Sequence, residues 1–228
     1  MTAPAARIYT ASAAGPLMLE LRLSAGSVRV VVEDRDRAEV TLTSPTPTVL
    51  ERVRFAESYQ RLKVHVPDPP PLAGGTVQVT GGHVGIVAGV VYGDVFVGGG
   101  RVDPQRRRRA GRGEIGVDVR LPLHSSVFVE TVAAPVTCTG ALLTATVHTT
   151  SGAIRLDTVA GPQLYSVSGA VTIANLIGIG AIETVSGDIT VTATAPTELN
   201  AQSVDGDIRA AGPIRLTART VSGRVITY

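Results

Sequence analysis

Thr149-Thr-Ser-Gly-Ala-Ile-Arg-Leu156, Ser166-Val-Ser-Gly-Ala-Val-Thr-Ile173, Thr184-Val-Ser-Gly-Asp-Ile-Thr-Val191, Ser203-Val-Asp-Gly-Asp-Ile-Arg-Ala210 and Thr220-Val-Ser-Gly-Arg-Val-Ile-Thr227 are five versions of one eight-residue phrase. Their glycines, Gly152, Gly169, Gly187, Gly206 and Gly223, stand 17, 18, 19 and 17 residues apart. A short fixed period marks a stacked repeat architecture. Two residues past each glycine stand Ile154, Val171, Ile189, Ile208 and Val225, and four past it Leu156, Ile173, Val191, Ala210 and Thr227. The position between holds Arg155, Thr172, Thr190, Arg209 and Ile226, polar in four of five copies. That alternation predicts a strand with one buried face. It also predicts that Ile154, Val171, Ile189, Ile208 and Val225 form one vertical file in the core.

Before the glycine, the third residue is always a hydroxyl: Thr149, Ser166, Thr184, Ser203 or Thr220. The second is Val167, Val185, Val204 or Val221 in the last four copies. A single straight strand cannot bury both columns, so a bulge or corner is expected here. The alternation does not decide which column faces the core. A second turn is read at Ala160-Gly161-Pro162, Gly178-Ile179-Gly180, Ala195-Pro196 and Ala211-Gly212-Pro213, because Gly and Pro punctuate turns. Each period then holds two short strands and two turns. At roughly 4.8 Å per stacked strand, five coils add about 24 Å. The recurring glycine marks either positive φ or close approach of one coil to the next.

The composition fits a narrow all-β stack: no Trp, aromatics at 4% and 25 Gly. Small and β-branched side chains fill such layers; bulky rings do not. Short strands at regular spacing also build β-sandwiches, but five near-identical turns favour the stack. Net charge is only +2, and Lys63 is the one lysine. The one cysteine, Cys138, excludes an internal disulfide framework and reads as a small buried residue. The first twenty residues lack the continuous apolar core of a secretory signal, so the expected location is cytoplasmic, with envelope association compatible.

The whole chain, 1–228, reads as one β-solenoid domain in three parts. Residues 7–66 carry alternating strands, among them Leu17–Leu23, Ser27–Val32, Glu39–Thr43 and Arg61–Val66, read as irregular early coils of the same stack. Residues 67–113 form a Gly/Val/Arg-rich insertion, and 114–228 the regular coils. Within the insertion, 72–93 is long and apolar enough to span a bilayer and carries G-x-x-x-G steps. Its glycine density opposes a helix, and a span would separate two halves of one stack. No transmembrane helix is therefore expected.

These pieces resemble a known group. LRLSAGSVRVVVED, RLKVHVP, the segment IGVDVRLPLHSSVFVETVAAPVTCTG and the tandem TVSGDITV-like coils are similar to the bacterial β-strand-repeat proteins called putative adhesins. That family, common in actinobacteria, has no assigned function. The resemblance covers about residues 7–66 and 115–228. It implies a right-handed β-solenoid, settings at the cell envelope and no established activity. It offers no catalytic motif or cofactor to carry over.

The chain has no G-x-S-x-G, H-E-x-x-H, P-loop or C-x-x-C, and its histidines, His65, His83, His124 and His148, are scattered. Asp188, Asp205 and Asp207 fall on adjacent coils, a Ca²⁺-type ligand set. The competing reading, which the sequence favours, is that Asp suits turns by bonding its own backbone. Arg106, Arg107, Arg108 and Arg109 form a basic run able to meet phosphates. No aromatic residues interleave it, so nucleic acid is disfavoured. The expectation is a non-enzymatic scaffold or binding protein that stacks end to end through unpaired strand edges and meets an unidentified protein or envelope partner. The alternatives are a carbohydrate-active enzyme using the acidic face and a binder of polyanions, nucleic acid or anionic lipid, through the arginine run.

Overall fold

The computed structural model describes residues 4–67 and 115–228, together with the backbone of residues 96–97 and 100–101. The elements in chain order begin with β1 (Ala5–Ala14), β2 (Met18–Leu23), β3 (Ser27–Val32), β4 (Arg37–Ser44), a short helix α1 (Pro47–Glu51), β5 (Arg54–Ser58) and β6 (Arg61–His65). Two short strands follow, β7 (Phe96–Val97) and β8 (Gly100–Arg101). After them come β9 (Gly116–Leu121), β10 (Ser126–Thr131), β11 (Val136–Thr149), β12 (Ile154–Ser166), β13 (Val171–Leu176) and β14 (Ile179–Thr184). The chain finishes with β15 (Ile189–Thr192), β16 (Thr197–Gln202), β17 (Ile208–Ala211), β18 (Ile214–Arg219) and β19 (Val225–Thr227). It divides into two compact units: Met1–Asp68 with Glu114–Tyr228, and Pro69–Gly113. In the second, β7 and β8 pair antiparallel.

Seventeen strands hydrogen-bond into one sheet. Within it, two stacks of parallel strands run side by side. One is β6, β2, β10, the second half of β11, the second half of β12, β14, β16 and β18. The other is β9, β3, the first half of β11, the first half of β12, β13, β15, β17 and β19. Each coil contributes one strand to each stack, and the corner between them is the repeated Ser-Gly turn.

The register carries the core. Val117, Val28, Val136, Ile154, Val171, Ile189, Ile208 and Val225 pair in sequence through the second stack. The first seven are buried, while Val225 is 45% exposed. This corrects the expectation that Val225 is buried with the other four. Its register is as expected, but β19 is paired on one side only, with β17. Ile214, Leu216 and Ala218 of β18 are only partly buried for the same reason. In the first stack, Val64, Leu21, Val129, Val147, Leu164, Ile182 and Ala201 form the matching inward file. Full burial of each such side chain stabilises the fold by about 1.5–3 kcal/mol. Cys138 lies in this core, 3% exposed, and burial pushes its thiol up to about 12.

The tight corner explains the glycine. A Cβ at Gly169, Gly187, Gly206 or Gly223 would overlap the backbone carbonyl oxygen of the glycine one coil earlier; at Gly152 it would overlap that of Ala134. Close coil-to-coil approach, not positive φ, is what the position demands. The corner also settles the two columns. Thr149, Ser166, Thr184 and Ser203 are buried, and Val167, Val185, Val204 and Val221 are 46%, 45%, 42% and 78% exposed. The hydroxyls face inward because the turn's backbone needs them. Gly152, Gly169, Gly206 and Gly223 donate their N–H groups to the oxygens of Thr149, Ser166, Ser203 and Thr220 at 2.8–3.1 Å. Thr184 instead donates to the Gly187 carbonyl at 2.7 Å. A buried donor left unpaired costs about 1–3 kcal/mol, whereas a valine left only partly exposed forgoes a fraction of the roughly 1.5–3 kcal/mol of full burial.

Two features depart from the sequence reading. Ala160-Gly161-Pro162 is not a turn: β12 runs unbroken from Ile154 to Ser166, as β11 does from Val136 to Thr149. On one side β12 passes its pairing from β13, through Val159 and Leu176, to β14, beginning at Gln163 and Ala181. The Gly-Pro pair falls in that gap, where no partner on that side requires an N–H. The second departure lies at the other end. There β1, β4 and β5 run antiparallel to their neighbours, β4 on β9, β1 on β4 and β5 on β6. One carboxylate fastens this layer. Glu57 accepts from the Tyr9 hydroxyl at 2.9 Å, from Ser12 N and Oγ at 3.0 and 2.8 Å, and from Ala13 N at 2.8 Å. The backbone N–H groups of Ser12 and Ala13 hold its carboxyl down to about 2.

Candidate binding face

The outward positions of the first stack make a patterned surface. One column reads Arg22, Glu130, His148, Tyr165, Glu183, Gln202 and Arg219. The next reads Lys63, Glu20, Phe128, Thr146, Gln163, Ala181, Asn200 and Thr217. Along the corner runs an exposed, mainly apolar edge: Val132, 52% exposed, then Thr150, Val167, Val185, Val204 and Val221. Scattered exposed apolar residues are ordinary; four in a row, from Val167 to Val221, make this edge a candidate interaction surface.

Charges on this face are mostly paired. Lys63 meets Glu20 at 3.0 Å, Arg22 bridges Glu20 and Glu130 at 3.5 and 3.3 Å, and Arg215 meets Glu198 at 3.3 Å. Between these pairs lies a less charged middle. Three rings cross adjacent coils there: Phe128 and His148 with centroids 5.7 Å apart, His148 and Tyr165 with centroids 4.8 Å apart, both tilted. Beside them is a shallow depression of about 260 Å³, lined by His148, Tyr165, Glu183, Val167 and Val185, with Thr149, Ser166 and Thr184 at its base. A second, of about 330 Å³, lies farther along the same stack, around Ile179, Glu198, Asn200, Arg215 and Thr217.

The residues singled out from sequence fall elsewhere. Asp188 and Asp207 stack one coil apart, and Asp188 Oδ1 accepts the Asp207 N–H at 2.9 Å. Arg209 bridges them, at 3.2 Å to Asp188 and 2.6 Å to Asp207, and Arg224 meets Asp207 at 3.2 Å. The Arg224 N–H, its guanidinium and Arg209 hold the Asp207 carboxyl below the usual carboxylate range. A glycosidase pair needs one carboxyl raised to act as an acid, and here the pull on Asp207 is the opposite. Asp205 lies in the same turn as Asp207, exposed and outside this ladder. Among the described residues, no group of three or more His, Cys, Asp or Glu is placed to hold a metal ion. Arg106, Arg107, Arg108 and Arg109, and the apolar stretch 72–93, lie outside the described residues. Among those described, no helix is long and apolar enough to cross a membrane. The Ser166 hydroxyl that borders the depression both accepts from Gly169 N and donates to Gly169 O, at 2.8 and 2.9 Å. It is committed to the turn.

Sequence reasoning missed this face because it followed the inward columns. The available signal was the valine second before each glycine, repeated four times, and the ring at Tyr165 one strand from His148.

Comparison with known proteins agrees with the resemblance drawn from the repeated turns. Residues 124–226 match the family model described as Toastrack DUF4097. No curated protein matches the chain. A putative adhesin from Bacteroides fragilis aligns with TM-score 0.48 at 10% identity, covering 98% of this chain and 97% of that one. A putative adhesin from Parabacteroides distasonis aligns with TM-score 0.35 at 16% identity, covering 97% of each chain. A putative lipid binding protein from the same species aligns with TM-score 0.38 at 11% identity, covering 98% of this chain and 96% of that one.

Proposed function

We propose that this chain, whose residues 124–226 match the family model described as Toastrack DUF4097, is a non-enzymatic, adhesin-like scaffold. In this reading it is a right-handed β-solenoid of 17–19-residue coils, and its work is done by the outward face of the first stack with the valine edge beside it. One observation carries the reading. Val132, Val167, Val185, Val204 and Val221, with Thr150 between the first two, line the corner as mainly aliphatic side chains that are 42–78% exposed, while the paired aliphatic files that flank the corner are buried except at Val225. Solvating that row has a cost that the tight corner imposes, and a partner that covers it recovers about 25 cal/mol per Å² of apolar area. The hydroxyl of Ser166, committed to its turn, and the arginine-paired carboxylates of Asp188 and Asp207 support a non-enzymatic reading.

The test is retention on surfaces. The protein is passed over immobilised polysaccharides, proteins and phospholipid layers, alongside a variant carrying Val167→Ser, Val185→Ser and Val204→Ser. These sites are exposed, so each change costs about 0.5 kcal/mol or less and the circular dichroism spectrum is expected to be unchanged. The expected outcome is retention of the native chain on at least one surface and its loss in the variant. Equal retention of both removes this face from the function, and retention on none removes the adhesin-like reading.

A further inference from the structure

We infer that the depression beside Tyr165 takes a guanidinium group, carried by an arginine side chain of a partner protein. The inference rests on the reading that this face is the binding surface. It starts from one unpaired carboxylate. Four carboxylates occupy strand positions of this face: Glu20, Glu130, Glu183 and Glu198. Three of them have a cation within 3.5 Å, from Lys63, Arg22 or Arg215. Among the described residues, Glu183 has no ion-pair or hydrogen-bonding partner, and its side chain is exposed.

Its surroundings select the kind of cation. Tyr165 is the neighbour of Glu183 in register, one strand away, with 38% of its surface exposed. His148 backs that ring from the other side, with centroids 4.8 Å apart. Val167 and Val185, two residues farther along the chain from Tyr165 and Glu183, wall the depression. A ring face attracts a cation through its quadrupole. A carboxylate beside it accepts two parallel N–H bonds from a guanidinium plane. The aliphatic wall suits the three methylenes of an arginine stem. An ammonium satisfies the charge but cannot stack. A phosphate or carboxylate ligand meets Glu183 as a like charge. A neutral sugar can stack on Tyr165 without using the carboxylate's charge.

The experiment uses the full chain labelled with ¹⁵N and titrated with N-acetyl-arginine amide, with N-acetyl-citrulline amide as the uncharged isostere and maltotriose as the neutral sugar. The expected result is saturable shifts at the amides of Tyr165, Val167, Glu183 and Val185 with arginine and weaker ones with citrulline. Glu183→Gln is expected to weaken arginine binding roughly two- to fivefold, and Tyr165→Leu by a similar factor. Raising the salt concentration weakens it further. Thermal melts of both exposed-site variants report whether the fold is intact. The inference is overturned if citrulline binds as well as arginine, if Glu183→Gln changes nothing, if the shifts map elsewhere or do not occur, or if maltotriose is the ligand that occupies the depression. If arginine fails while the triple valine variant still loses surface retention, the ligand class is wrong and the binding face stands. If both fail, the face itself is wrong.

Discussion

The turns in 126–228 and the antiparallel layer of β1, β4 and β5 solve the same problem by different means. Both must satisfy backbone groups at the edge of a stack of strands. The coils do it by repetition: each turn rests on the one before, so a hydroxyl and a glycine recur at fixed positions. The antiparallel layer does it once, with particular residues. Glu57 gathers four donors from β1, and Arg7 donates to the Leu50 and Val53 carbonyls at 2.9 and 3.1 Å. Repetition leaves a mark on the sequence; a one-off clasp does not.

The sharpest way to break this comparison is inside the coil. Gly169→Ala places a methyl group on the Gly152 carbonyl, whereas Gly161→Ala meets only ordinary contact with Thr144 Cγ2 at 3.5 Å. The first is expected to destabilise by about 3 kcal/mol and the second by less than about 1 kcal/mol. Urea unfolding of the two variants checks it, and equal losses would mean that the corner does not set the period. A smaller contrast lies along the buried file. Ile189→Ala is expected to cost about 2–5 kcal/mol. Val225→Ala, at a site 45% exposed, is expected to cost less than about 1 kcal/mol. The melting temperatures of the two variants order them.

The smallest effect belongs to the clasp. The folded-state pKa of Glu57 is lowered from 4.5 to about 2, so its ionised form contributes stability above the unfolded value. That contribution falls as the pH drops from about 4.5 and is gone below about 2. Glu57→Gln is therefore expected to melt lower than the native chain at pH 7, with the gap closing between those two limits. A gap that persists at pH 2 would assign the role of Glu57 to packing. The Asp207 carboxyl, also lowered, adds a loss of the same sign on the acid side.

How far the sequence could be read follows the same division. The file through Ile154, Val171, Ile189 and Ile208 was visible because each coil restates it. The choice between hydroxyl and valine columns was not, since alternation is symmetrical about a corner. Only the N–H groups of Gly152, Gly169, Gly206 and Gly223, which need acceptors, break the symmetry. β1 escaped notice because, of its ten residues, only Ala11 is buried. Gly161-Pro162 was misread because its chemistry is that of a turn while its place is a gap between two partners. At the candidate site, the adjacency of Asp188 and Asp207 was legible from the period. Their capture by Arg209 and Arg224 depends on side-chain reach across coils, which spacing alone does not give. The unpaired state of Glu183 is a fact about its neighbours rather than about its own phrase in the repeat.

The hydroxyl-and-glycine corner has one more consequence. Every coil presents the same seat above and the same underside below, so a coil is an interchangeable unit. Removing or duplicating a block such as Thr184–Gln202 preserves the seat for its neighbours while changing how far the valine edge extends. The length of that edge thus becomes a heritable quantity adjustable in whole steps, separate from the chemistry of any one coil.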